Sequence, residues 1–80
     1  MSKEGFEIIF CQASTGILLN SDGTFRRKGQ SAFRPVFPSF SDAKVMSDAL
    51  LAKFVFAEVW IRDLETGTVE GPFQSAHLSN

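Results

Sequence analysis

Residues 39 to 63 switch hydrophobic period once, from the three-to-four spacing of a helix to the alternation of a strand, and that switch constrains the rest of the chain. Ala43, Met46, Leu50 and Phe54 fall on one stripe with Ser47 and Leu51 beside it, while Asp42, Lys44 and Asp48 point the other way. Two hydroxyls can start this helix. Ser39 with Asp42 resembles a capping box, and Ser41 as cap would set Phe40 against Val45; Pro38 holds the preceding backbone out of the helical region. The spacing predicts a helix over 39–53. After Lys53, Val55, Ala57, Val59 and Ile61 alternate with Phe56, Glu58, Trp60 and Arg62, which predicts a strand over 55–63. Its first set suits packing against the helix. Its second mixes two large rings with two charges on what should be the outer face.

The remaining segments read as partners for that pair. Phe6 to Ala13 is rich in β-formers, with Phe6, Ile8 and Phe10 on one face and Glu7, Ile9, Cys11 and Ala13 on the other. Ser14-Thr15-Gly16 signals a turn into a second strand, Ile17 to Leu19, and Asp22-Gly23 a tight turn into a short third, Thr24 to Arg26. Residues 27–38 hold two prolines and no sustained period, so a long loop is expected, pinned by Phe33 and Phe37. Leu64 to Gly67 makes another turn, and residues 68–73 return as a strand at an edge or an end, since Pro72 has no N–H. Thr15-Gly16 and Thr66-Gly67 echo each other.

The expected fold class is α+β: an antiparallel sheet of four to five strands, in the order β-β-(β)-α-β-β, with one helix packed on one face. A small curled barrel plugged by the helix is the alternative. Eighty residues make one domain, with an ordered core over about 5–73 and flexible ends at 1–4 and 74–80. A chain of this size buries only about 60% of its unfolded surface, so association would help it. Nine Phe and no Tyr point to a core or a dry contact surface, because Phe has no polar tip.

Two surfaces stand out as candidates. The first is the outer strand face, where Phe56 and Trp60 would anchor a protein partner or a second copy, Glu58 and Arg62 would set register, and Ile9 would lie alongside. The second is the segment Arg26, Arg27, Lys28, Phe33 and Arg34, with four of the eight basic residues inside nine positions and rings interleaved. That pattern suits phosphates and stacked bases of nucleic acid, or another anion. A net charge of −1 gives no global attraction to nucleic acid or to a membrane, so the protein or self-association reading leads.

Catalytic chemistry has little to stand on. Cys11 and His77 are the only thiol and imidazole, too few for a structural zinc site and placed on a strand and in a terminal segment. Asp22-Gly23 lacks the spaced ligands of a calcium loop. The pairs Asp42 with Glu58 and Asp63 with Glu65 are no more than scattered acids offer by chance, and the glycines are dispersed rather than gathered into a phosphate cradle. A non-enzymatic module without cofactor or metal is therefore expected. One thiol, no secretory leader and no bilayer-length apolar run set the cytoplasm as the expected compartment.

Overall fold

A computed structural model describes residues 4–30 and 33–75. The elements run β1 (Phe6–Gln12), β2 (Val36–Phe37), α1 (Phe40–Lys53), β3 (Ala57–Asp63) and β4 (Val69–Gln74). They form one antiparallel sheet in the order β2-β1-β3-β4, with α1 on one face. This is the α+β class expected from the sequence, with four strands and one helix.

The helix starts at Ser39, whose Oγ accepts the Asp42 N–H at 3.1 Å; Ser41 is the second helical residue, not the cap. It ends where the Phe54 N–H reaches the Leu50 carbonyl. A turn follows at once, closed by the Ala57 N–H on the Phe54 carbonyl at 3.0 Å. That turn consumes Val55 and Phe56, so the strand begins at Ala57 rather than Val55, and both side chains stay exposed.

The central pair is β1 with β3, in register from Phe6↔Asp63 to Gln12↔Ala57. The other edge of β1 is shared. Val36–Phe37 pairs with its first residues, and the Ile8 N–H bonds the Pro35 carbonyl; Ile17 and Leu19 take its second half through Gln12 N–H to Ile17 O and Leu19 N–H to Phe10 O. The strands expected at 17–19 and 24–26 accordingly shrink to single bridges, Cys11↔Leu18 and Leu19↔Phe25. A strand expected nowhere, β2, occupies part of the anticipated loop. Pro35 and Pro38 lie just outside it and cannot donate to a ladder, which confines it to two residues.

The two Thr-Gly turns prove to be the same turn. Gln12 and Asp63 each donate their N–H five residues on, to Ile17 and Thr68, and each accepts the N–H of Gly16 or Gly67 at 2.7 Å. In both, the threonine hydroxyl accepts the N–H two residues later. Because β1 and β3 are antiparallel, the twin turns sit at opposite ends of the sheet.

The core lies between α1 and the covered sheet face. Ile8, Phe10, Leu19, Val59 and Ile61 are essentially inaccessible, and Ala43, Leu50 and Leu51 press on them from the helix. Each fully buried large side chain contributes about 1.5–3 kcal/mol. The helix stripe is rotated slightly from its expected position, since Ser47 is fully buried whereas Met46 is at the border of exposure. Ser47 tolerates burial by donating its hydroxyl to the Ala43 carbonyl at 2.8 Å. Rings close the margin: Phe6 on Phe40, Phe40 on Phe73, Phe10 on both Phe33 and Phe54.

Candidate interaction surface

Strand alternation puts Glu7, Ile9 and Cys11 of β1 beside Arg62, Trp60 and Glu58 of β3 on the face that α1 does not cover. The neighbouring segments extend these pairs into three ranks. One runs Leu18, Cys11, Glu58, Gln74; the middle one holds Ile9 and Trp60; the third runs Val36, Glu7, Arg62, Val69. Leu18, Ile9 and Trp60 are half-buried, while Val36 and Val69 are 51% and 46% exposed. The molecule measures 38 × 31 × 17 Å. Among the described residues α1 is the one helix packed on the sheet, and it lies on the opposite face.

Trp60 sits where β3 and β4 slip register between Val59 and Ile61. Opposite the slip is Gly71, at which a Cβ would stand 3.2 Å from the indole Cε3, so a side chain there would crowd the ring. Beside the indole the Cys11 thiol is buried and directed at Glu58, 3.7 Å from Oε1 and 3.8 Å from the carbonyl. Burial, reinforced by the Glu58 charge and hydrogen bond, pushes the thiol up to about 11, with the Trp60 indole opposing as a donor to the thiolate. A thiol held protonated in this way is a poor nucleophile. Glu58 is also tied outward, its Oε2 accepting from Gln74 Nε2 at 3.2 Å. Glu7 is held more loosely: Arg34 Nε is 3.8 Å from its buried Oε1, which has no hydrogen-bond partner among the described residues.

Of the residues read as one partner surface, Ile9, Glu58, Trp60 and Arg62 do converge. Phe56 does not join them. It lies in the turn before β3 with its ring 6.2 Å from that of Phe54, and lines a groove of about 690 Å³ with Phe25 and Arg27. The basic segment is divided too. Arg26, Arg27 and Lys28 are exposed, but Phe33 packs edge-on against Phe10 in the core and Arg34 turns to Glu7. Leu18, Val36 and Val69 escaped the sequence reading of this face. Val36 carried a signal, since a β-branched residue and a ring between two prolines suit a short edge strand.

Two of the remaining carboxylates, Asp22 and Asp63, serve turns. Asp22 Oδ1 accepts the Thr24 N–H at 3.0 Å and its hydroxyl at 2.6 Å, bonds that lower the carboxyl below its ordinary range. Asp63 Oδ1 accepts the N–H groups of Glu65 and Thr66. Among the described residues no three Cys, His, Asp or Glu side chains gather as a metal site, and no helix is long and apolar enough to cross a membrane. His77 and the other terminal residues after Ser75 lie outside the described residues. Comparison of the chain with protein-family models, curated proteins and solved structures finds no match.

Proposed function

We propose that this domain is a non-enzymatic association module whose uncovered sheet face binds a second copy of itself. The observation that carries the reading is the middle rank, Ile9 and Trp60, apolar, half-buried and flanked along β3 by Glu58 on one side and Arg62 on the other. Consider a two-fold axis between two such faces, running across the strands at Trp60. It stacks ring on ring and brings Glu58 of one copy over Arg62 of the other, an isologous contact in which every ion pair occurs twice. A net charge of −1 opposes the approach only weakly.

The edges of the sheet favour face over edge association. β4 carries Gly71 and Pro72 at its centre, which interrupts any further ladder. Four strands of up to seven residues give a face of about 19 by 23 Å, roughly 440 Å² on each copy. Twice that is below the standard interface size of about 1,600 Å², so the dimer is expected to be weak and reversible, in the micromolar range or above.

Sedimentation velocity over a concentration series tests this. The wild type should shift toward dimer with rising concentration, and Trp60→Glu should stay monomeric while still unfolding in one cooperative transition. Reversing one charge, Glu58→Arg or Arg62→Glu, should weaken the dimer, and combining both should restore it. A wild type that remains monomeric to millimolar concentration overturns the proposal.

A further inference from the structure

The groove that captures Phe56 lies on the helix side of the sheet, away from the association face. Gln12 shares the strand face of Phe10, Phe25 bridges the buried Leu19, and the hairpin tip at Gly23 comes so close to Phe54 that a Cβ would be 2.5 Å from its ring. Two rings with open surface, Phe25 at 49% and Phe56 at 40%, border the groove. Neither is needed to fill the core.

Three carboxamides line the same space, Gln12, Asn20 and Gln30, held by a local network. Gln12 Oε1 accepts the Thr15 hydroxyl at 2.7 Å; Gln30 Oε1 accepts the Arg27 N–H at 2.7 Å and Asn20 Nδ2 at 3.4 Å. In both glutamines the oxygen is engaged, which fixes the amide plane and leaves the NH₂ donors without a partner among the described residues. Arg27 lines the groove, and Arg26 and Lys28 adjoin it in sequence on the exposed segment. Arg26 Nε is anchored on the Gln30 carbonyl at 3.0 Å, so the basic segment is braced against the groove wall.

We propose that this groove binds a nucleotide unit, with the base stacked on Phe25 or Phe56, its edge read by the Gln12 and Gln30 amides, and its phosphate met by Arg27. The chemistry is jointly demanded: rings favour a planar π-face, the amide NH₂ groups favour the acceptor atoms on the edge of a base, and guanidinium favours phosphate. A volume near 690 Å³ lies within the range of small-ligand sites, about 300–1,000 Å³. The site is independent of the dimer. It also differs from the basic segment as read in sequence, because Phe33 and Arg34 are committed elsewhere and Phe56, Gln12 and Asn20 take their places.

The test is titration of the ¹⁵N-labelled full chain with adenosine and uridine monophosphates, adenosine, a short single-stranded RNA and inorganic phosphate, following side-chain NH₂ and backbone signals. Shifts of the Gln12 and Gln30 amides with nucleotide are expected. Phe25→Ala, an exposed substitution, should weaken binding about tenfold, the scale of one lost base stack. Arg27→Gln should weaken the nucleotide but not the nucleoside, and Trp60→Glu should leave both intact. Tighter binding of RNA than of mononucleotide assigns the unit to a single strand; equal binding assigns it to free nucleotide. No shift at millimolar nucleotide, or shifts reproduced in full by inorganic phosphate, overturns the site.

Discussion

Phe10 and Ile9 are neighbours on one strand, yet the first is 1% exposed under the helix and the second lies half-buried on the open face. The difference between the two faces is not one of hydrophobicity, since each has large apolar groups at its centre. It is one of partners. The covered face meets Ala43, Leu50, Leu51 and a margin of rings, whereas the open face interleaves its apolar rank with Glu7, Glu58 and Arg62. The covered face keeps its acids, Asp63 and Glu70, at a strand end and on the edge strand, whereas the open face sets Glu58 and Arg62 directly beside its central rank; burying those central charges would be costly, which directs the helix to the first face.

The sharpest way to break that contrast is to cut both neighbours. Phe10→Ala should cost about 3–5 kcal/mol, enough to unfold much of so small a domain, while Ile9→Thr should cost under about 1 kcal/mol; urea denaturation of each at low concentration measures the gap. Equal losses would mean that the open face is covered within one molecule. Next in size is Gly23→Ala. At φ +84°, with the Phe54 ring in the way, the new methyl should destabilise by about 1–3 kcal/mol and loosen the groove end of the covered layer, read by the thermal midpoint and the Phe54 ring signals. Ser39→Ala removes the cap that starts α1 and should cost about 1 kcal/mol, with Ser39→Asp recovering most of it.

The smallest effect falls on the open face. Cys11 has its folded-state pKa raised to about 11, so between the unfolded value near 9 and that figure the unfolded chain loses the proton first. The stability this provides is complete below pH 9 and is lost as the pH climbs through 11. Alkylation of the native protein by iodoacetamide at pH 8 should accordingly be much slower than that of the denatured chain. Fast native alkylation would mean that the Glu58 and Trp60 surroundings open readily.

Much of this was legible in the chain itself. Local rules placed α1 at Ser39, the alternation of β3, the two Thr-Gly turns and the class of fold, because capping, period and glycine conformation act within a few residues. What escaped were matters of competition. Which segment obtains the outer edge of β1 depends on Val36–Phe37 and Ile17–Leu19 contending for one row of donors and acceptors, and no local pattern ranks them. Parity places Phe56 on the open face only if the strand begins at Val55, and it begins at Ala57. The reversal from helix to strand needed Val55 and Phe56, and carried the ring round to the groove. Period and turn chemistry are written residue by residue; edge pairing and the course of a connection are decided only when distant segments meet and the same hydrogen-bonding groups can be used once.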